Sequence, residues 1–345
     1  MKVLEPCAWR VGQLPSGPLD TICDVRGVTV GHATLADQSM QTGVTVVRAH
    51  GDSHYLKKVP AAATVINGFG KSVGLMQIDE LGVLETPIAL TNTFSVPAIS
   101  QAQITQAIAL HPEIGRAWPT INPLVFECND GYLNDIQAMR VGASHYQEAF
   151  DRAATHFEQG AVGAGRGMSC FGMKGGIGSS SRQVKIAEKH YTVGALVLSN
   201  FGKQRNFMLL GQPIGRKLLS SSAPLQSDPE KGSIIILLAT DAVLDARQLR
   251  RLSVRAAAGL ARTGSYFGHG SGDIALAFST GYTVPALNAD PMPAIAALHE
   301  TQLESLFEAV ADATEQAILS SLWHAQTVIG RDGHVRTALR AILPV

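Results

Sequence analysis

The chain has little charge and no net charge. Asp, Glu, Lys and Arg make up 16% of its 345 residues, and 28 acidic residues balance 28 basic ones. Without a basic excess, no overall field attracts nucleic acid or an anionic membrane. The sequence also lacks any run of ~18 apolar residues, the length of a membrane-spanning helix. We therefore expect neither nucleic acid nor a membrane among the partners.

Cysteine is scarce and unpatterned, which argues against a disulfide scaffold and a structural zinc site. The four cysteines contain no C-x-x-C pair: Cys7, Cys23, Cys128 and Cys170. His50 and His54 are separated by a loop-like Gly51-Asp52-Ser53, so we predict no metal there either. Residues 1–17 contain no apolar stretch typical of a secretory signal. These absences predict a cytoplasmic protein without metal or other cofactor.

Apolar residues and glycine are abundant instead, at 46% of the chain and 34 glycines. This composition predicts a globular fold with a large core. Low charge and high apolar content also indicate that surface is buried between subunits, so we predict a homo-oligomer.

The hydrophobic periodicity predicts clusters of strands and helices in a single domain over residues 1–345. Strands are predicted at 27–32, 43–48, 61–66, 87–90, 124–126, 191–198, 206–210, 233–239 and 274–280. Helices are predicted at 75–84, 98–110, 146–159, 245–262 and 294–322. The glycine-dense segment 161–181 is predicted to be a loop, and 216–231 an exposed, cleavable linker. Because no long βαβ series is present, the fold class is α+β.

One dipeptide, Gly232-Ser233, stands at the head of an apolar strand. In a self-cleaving N-terminal nucleophile hydrolase, the Ser hydroxyl attacks the preceding carbonyl, and the resulting ester hydrolyses. The new α-amine of Ser233 then serves as general base, since its reference pKa of roughly 7.7–8.0 leaves much of it neutral. A glycine at 232 would ease the attack by lacking a β-carbon.

A second serine, Ser72, is a rival nucleophile. Gly70-Lys71-Ser72-Val73-Gly74 satisfies G-x-S-x-G between a predicted strand and a helix, as in the nucleophile elbow of α/β-hydrolases. Its partners would be Asp241 or Asp273 together with His299 or His324. The alternating strands before it argue against this reading.

Three further segments place polar residues beside glycine at the ends of predicted strands, which is typical of substrate sites. They are Glu127-Cys128-Asn129-Asp130-Gly131-Tyr132, Ser199-Asn200-Phe201-Gly202 and His269-Gly270-Ser271-Gly272-Asp273. Together with Gly232-Ser233, these segments resemble the self-processing D-aminopeptidase/β-aminopeptidase family, relatives of ornithine acetyltransferase. The resemblance also includes residues 24–32, 86–93, 174–182 and 259–264. The likeness extends over nearly the whole chain.

This resemblance implies a four-layer αββα sandwich that is cleaved into residues 1–232 and 233–345 and assembles as a homotetramer. It implies release of N-terminal residues, in some members D- or β-amino acids, from small peptides, amides or esters. The implied roles are nucleophile and base for Ser233, oxyanion donor for Asn200, tuning of Ser233 by Ser271 and Asp273, a pocket residue in Tyr132, and an ammonium-binding carboxylate in Glu127.

Two points remain open at this stage. Acyl transfer, as in ornithine acetyltransferase, is the main enzymatic alternative, although Ser rather than Thr at 233 favours hydrolysis. Lys71 also follows Asn67-Gly68-Phe69-Gly70, where relatives commonly have an acidic residue, so substrate specificity is not carried over from the resemblance.

Overall fold

Two β-sheets form the middle of the molecule, and helices cover the outer face of each. The computed structural model describes residues 9–218 and 231–343. In this part of the chain the strands are β1 (Thr29–Asp37), β2 (Met40–Arg48), β3 (Lys57–Gly68), β4 (Val83–Leu84), β5 (Ile88–Asn92), β6 (Leu124–Cys128), β7 (Ser169–Cys170), β8 (Met173–Lys174), β9 (Gly176–Ile186), β10 (Lys189–Asn200), β11 (Lys231–Thr240), β12 (Gly270–Ser279), β13 (Val284–Pro285), β14 (Val328–Ile329) and β15 (Val335–Arg336). The helices are α1 (Leu75–Leu81), α2 (Val96–Leu110), α3 (Ala143–Asp151), α4 (Ile214–Leu218), α5 (Ala246–Arg262), α6 (Glu304–His324) and α7 (Leu339–Ile342).

The smaller sheet has the strand order β1-β2-β5-β6, and the larger has β13-β3-β12-β11-β10-β9, with β4 paired to β3. Neighbours are antiparallel except for two pairs, β5–β6 and β11–β12. Each parallel pair is joined by a crossover helix, α2 in the small sheet and α5 in the large one. The structure thus contains isolated βαβ units within mixed sheets, in agreement with the predicted α+β class.

Strand β11 shows how the layers are built. Ile234, Ile236 and Leu238 pack in the core shared with α5 and α6. The alternate residues, 235, 237 and 239, pack in the core between the two sheets. Because both faces of the strand are covered, its sequence is continuously apolar instead of alternating. A third core lies between the small sheet and the pair α2 and α3. The order helix, sheet, sheet, helix confirms the four-layer sandwich.

Several predicted boundaries were wrong for identifiable reasons. Residues 176–181 are part of β9 rather than a loop, and their small side chains allow α6 to approach: a Cβ on Gly178 would lie 2.0 Å from Ala317 O. Residues 206–210 form no strand, because β10 already pairs with β9 and β11 and has no free edge. The predicted helix 146–159 ends at Asp151, since Ala154 then pairs with Val30.

The last long helix begins at Glu304 rather than at 294, because residues 291–297 are exposed and find no packing partner. At α5, by contrast, the predicted start is confirmed: Asp245 is the N-cap and forms a capping box with Gln248. Of the predicted linker, residues 216–218 lie in α4 and Lys231 in β11, and 219–230 lie outside the described residues.

Candidate active site

Ser233 lies near the start of β11, at one edge of the space between the sheets. The strand runs unbroken from Lys231 through Gly232 and Ser233. Ser233 Oγ donates a hydrogen bond to the carbonyl oxygen of Gly232 at 2.7 Å, and Gly272 N donates to Ser233 Oγ at 3.3 Å. The serine is 6% exposed. Its hydroxyl is therefore held directly against the carbonyl group that precedes it.

Gly232 is required by close packing between strands. A Cβ at this position would lie 2.7 Å from Asn200 O and 2.8 Å from Phe201 Cα. Real Cβ atoms do not approach a backbone this closely without a shift of the strand. The reason for glycine therefore lies in the neighbouring strand β10.

Asn200, the last residue of β10, is directly opposite Ser233 in the register of the antiparallel pair. Its Oδ1 accepts a hydrogen bond from Ser169 N at 2.8 Å, and its Nδ2 donates to Asn129 O at 2.9 Å. These two bonds define which end of the amide is the donor. Both ends of the Asn200 amide are therefore held by backbone groups.

Ser271 and Asp273 come from β12, the parallel neighbour of β11. Ser271 pairs with Gly232, and Asp273 pairs with Ile234. Ser271 Oγ donates to Asp273 Oδ1 at 2.5 Å, a length typical of a hydroxyl bound to a carboxylate. Both residues are buried. The bond orients the Ser271 hydroxyl beside the Gly232–Ser233 peptide.

Glu127 reaches the same place from the small sheet, at the end of β6. Its Oε1 accepts from Lys71 N at 2.8 Å, and its Oε2 accepts from Thr93 Oγ1. The link to the large sheet is Gly70: a Cβ there would lie 3.6 Å from Glu127 Oε1 and 3.9 Å from Gly272 Cα. Glu127 is therefore linked to Ser233 through Gly70 and Gly272, whose N donates to Ser233 Oγ.

Tyr132 is placed at the side of this group. It is partly exposed, and its ring stacks on His334 with 4.6 Å between centroids. The Arg336 guanidinium lies 3.5 Å from the Tyr132 centroid, and Arg336 Nε donates to Ser169 Oγ at 2.9 Å. Tyr132 is thus connected to Asn200 through Arg336 and Ser169, and within the described residues no hydrogen bond joins it directly to Ser233.

Burial around the site disfavours the ionised forms of the Cys128 thiol and the Asp130 carboxyl. Burial raises the pKa of the Cys128 thiol well above its usual value, and the charges of Glu127, Asp273 and Asp130 add to that effect. Burial also raises the pKa of Asp130 to about 7. Cys128 accordingly stays a protonated thiol and is no candidate nucleophile.

Two supporting groups were given no role by the sequence analysis. Lys174 is fully buried, and its ammonium donates to three carbonyl oxygens, those of Gly165, Met168 and Gly175, at 2.7–2.8 Å. This fixes the segment that carries Ser169. Thr93, which binds Glu127, follows the end of β5. A lysine between a cysteine and two glycines gave no signal of burial, and only the fold reveals its role.

The rival site at Ser72 lacks a base. Within the described residues, the buried Ser72 hydroxyl has no hydrogen-bond partner. His299 and His324 bond to Thr301 and Ser320 instead. Strand β3, which precedes Ser72, is antiparallel to its neighbour β12, so the parallel arrangement of an α/β-hydrolase elbow is missing.

The sequence also predicted that the chain has no metal site and no membrane-spanning helix. Among residues 9–218 and 231–343, no group of three or more His, Cys, Asp or Glu side chains is arranged to hold a metal ion. His50 and His54 stack on each other at 4.3 Å and bond to the backbone. None of the described helices combines the length and the apolar composition of a membrane span.

The sequence from residue 20 to residue 336 matches the family model for peptidase family S58. The chain belongs to peptidase family S58. This S58 peptidase is 36% identical over 337 residues to a beta-peptidyl aminopeptidase of Sphingosinicella xenopeptidilytica, covering 91% of this chain and 83% of the relative. The match confirms the resemblance found in the sequence.

Solved structures agree with that assignment. A protein from Pyrococcus horikoshii superposes with a TM-score of 0.91 at 46% identity, covering 96% of this chain and 94% of that one. A Burkholderia beta-aminopeptidase gives 0.89 at 36% identity, with 97% and 96% covered. The L-aminopeptidase D-Ala-esterase/amidase of Ochrobactrum anthropi gives 0.89 at 30% identity, with 98% of each chain covered, and is a prototype serine aminopeptidase with a variant of the N-terminal nucleophile hydrolase fold. The S58 peptidase is therefore a hydrolase of the aminopeptidase type.

Proposed function

We propose that the chain cleaves its own Gly232–Ser233 bond and then uses Ser233 as an N-terminal nucleophile. The observation that carries this proposal is the position of Ser233 Oγ, 2.7 Å from the carbonyl oxygen of Gly232 in an intact strand. The hydroxyl of the residue to be freed is already next to the carbonyl it must attack. The products would be residues 1–232 and 233–345.

The cleavage step moves the acyl group from nitrogen to oxygen. Ser233 Oγ attacks the Gly232 carbonyl carbon and loses its proton, the C–N bond breaks, and the nitrogen of Ser233 leaves as an amine with that proton. Water then hydrolyses the ester, giving a Gly232 carboxylate and restoring the Ser233 hydroxyl. The close contact between Gly232 and β10 holds the reacting peptide in place during both steps.

Catalysis on a substrate would repeat this chemistry with the new α-amine as base. Asn200 Nδ2 would donate to the oxyanion, a contribution worth ~2.7–4 kcal/mol in comparable sites. Ser271, oriented by Asp273, would position the Ser233 amine and hydroxyl. Tyr132 would border the pocket. Glu127 would bind the substrate ammonium, because its carboxylate is buried and lies near Gly70, which packs by Gly272 next to the nucleophile.

The substrates we propose are short peptides and aminoacyl amides or esters with a free amino group, including those of β-amino acids. The relatives' names support this class, since they describe beta-peptidyl and L-amino-acid substrates and D-Ala esters and amides. Acyl transfer of the ornithine acetyltransferase type is less favoured, because these relatives are aminopeptidases.

We further propose a cytoplasmic homotetramer. Apolar side chains that remain exposed, such as Met76 and Leu110, support contact between copies.

The proposal is tested by comparing a free aminoacyl p-nitroanilide with its N-acetylated form. The cleaved enzyme should hydrolyse only the first efficiently, and EDTA should leave the rate unchanged, because the mechanism uses no metal. Glu127→Gln should raise KM for the free amine by about tenfold or more, since a buried ammonium loses its charged partner. Equal turnover of both substrates would contradict the assignment of Glu127.

A further inference from the structure

The loop between β3 and α1, residues 68–72, is fixed against the site residues. Phe69 N donates to Ser271 O at 3.3 Å, and Lys71 N donates to Glu127 Oε1 at 2.8 Å. A Cβ on Gly272 would lie 2.7 Å from Phe69 O. The backbone of this loop therefore lies against Gly272, whose N donates to Ser233 Oγ.

In this loop the Lys71 side chain presents a positive charge to solvent. Its ammonium lies 4.3 Å from the centroid of the Phe69 ring, and Phe69 itself is 54% exposed. A cation placed over an aromatic face is held there by electrostatic attraction. Across the described residues, no carboxylate lies within ion-pair distance of the Lys71 ammonium. The site thus has a carboxylate inside, Glu127, and an uncompensated cation at its rim.

These two opposite charges are separated by one lysine side chain, since the Lys71 amide itself touches Glu127. The ends of an extended dipeptide are separated by a comparable length, about 7 Å at ~3.3–3.6 Å per residue. A dipeptide carries an ammonium at one end and a carboxylate at the other. Its charges are therefore complementary to the pair formed by Glu127 and Lys71.

We infer that Lys71 binds the C-terminal carboxylate of the substrate and makes the enzyme selective for short peptides with a free carboxyl end. This inference rests on the proposed function, in which Glu127 binds the ammonium and Ser233 attacks between the two ends. Phe69 supports the ammonium of Lys71 and offers an apolar surface to the second residue of the peptide. Lys71 is thus a specificity-determining residue.

The test measures kcat/KM for a dipeptide and for the same dipeptide with an amidated C-terminus. In the wild type the ratio of kcat/KM for the free dipeptide to kcat/KM for the amidated dipeptide should exceed one. In Lys71→Gln it should fall roughly two- to fivefold, as expected for one solvent-accessible ion pair, and in Lys71→Glu it should fall below one. Addition of about 0.5 M salt should lower the wild-type ratio but not that of Lys71→Gln, because salt screens an exposed ion pair.

Lys185→Gln is the matched control, because Lys185 is also an exposed lysine but lies on β9. It is nine residues, or about 30 Å, from the Gly176 end of that strand. This variant should keep the wild-type ratio. The hydrogen bond from Lys71 to Glu127 comes from the backbone and persists in both Lys71 variants. A ratio that is the same in the wild type, Lys71→Gln and Lys71→Glu would overturn the inference. If the wild type neither cleaves itself nor hydrolyses either peptide, the proposed function fails instead.

Discussion

Asn200 and Ser233 are paired residues of adjacent antiparallel strands, β10 and β11. The amide of Asn200 is held at both ends, by Ser169 N and by Asn129 O. Its orientation relative to Ser233 is therefore set before any substrate binds. In the proposed mechanism such a preorganised donor would stabilise developing charge without reorganisation during the reaction.

Replacement of Asn200 should test this arrangement directly. We expect Asn200→Ala to lower kcat by about 100- to 1000-fold with a smaller effect on KM, because the donor acts on the transition state. Steady-state kinetics on a p-nitroanilide substrate measure both constants. Asn288→Ala, at an exposed asparagine, is the control. Loss of binding with unchanged kcat would contradict the oxyanion role.

Self-cleavage should depend on Ser233 and not on Ser72. Intact-mass measurement of purified wild type should find two chains, one ending at Gly232 and one beginning at Ser233. Ser233→Ala should give one uncleaved, inactive chain, because no hydroxyl is present to attack. Ser72→Ala should be cleaved and active. Cleavage in the Ser233 variant, or its loss in the Ser72 variant, would reverse the assignment.

The contact of Gly232 with β10 predicts slow maturation when a side chain is added. In Gly232→Ala the new Cβ would collide with Asn200 O at 2.7 Å, so the strand and the scissile carbonyl must move. We expect cleavage to slow by about tenfold or more, since small displacements of reacting groups cost ~100-fold in rate in other enzymes. Gly51→Ala, where nothing lies within 4 Å, should mature normally. A time course on denaturing gels distinguishes the two variants.

Asp130 should make stability depend on pH. Burial raises the pKa of its carboxyl to about 7 from 3.8. Between these two pH values the Asp130 carboxyl is ionised in the unfolded chain but keeps its proton in the folded chain. The free energy of unfolding therefore falls as pH rises from ~4 to ~7 and then levels off. A shift of this size corresponds to roughly 4 kcal/mol at 1.36 kcal/mol per pKa unit.

The variant Asp130→Asn removes that ionisation and keeps an oxygen to accept from Asn134 Nδ2, which bonds Asp130 Oδ1 at 3.0 Å. Its melting temperature should therefore equal or trail that of the wild type near pH 4 and exceed it increasingly up to pH 7. Differential scanning calorimetry at several pH values measures the difference. A difference that does not change between pH 4 and pH 8 would show that Asp130 ionises normally in the folded state.

Local sequence predicted the elements that are defined by their own residues. The apolar run 234–239 indicates a strand covered on both faces, and β11 is one. The helix predicted from Asp245 begins there, with Asp245 as its N-cap. The errors arose where packing between distant segments overrides local preference. Glycine and serine at 176–181 are typical of a loop, yet they form β9 because α6 packs closely on them.

The candidate site divides in the same way. The dipeptide Gly232-Ser233 can be identified from the sequence alone, since an acyl shift needs a hydroxyl next to the bond that breaks. The connection of Ser233 with Glu127 could not be predicted from the sequence, because the two residues belong to different sheets and are linked through the backbone of residues 68–72 and Gly272. Lys174 likewise acquires its three carbonyl partners only when its loop closes around it.

By itself the sequence indicated the α+β class, since hydrophobic periodicity is a local property. Its resemblance to a known family implied the αββα sandwich and, as a prediction, Ser233 as the attacking residue. Only the tertiary structure decided why residue 232 is glycine, how the amide of Asn200 is oriented and that the Glu127 carboxylate lies against the backbone of Lys71. These depend on contacts between strands distant in sequence, such as Gly232 against Asn200 and Lys71 against Glu127, whose separation is fixed by the packing of the two sheets.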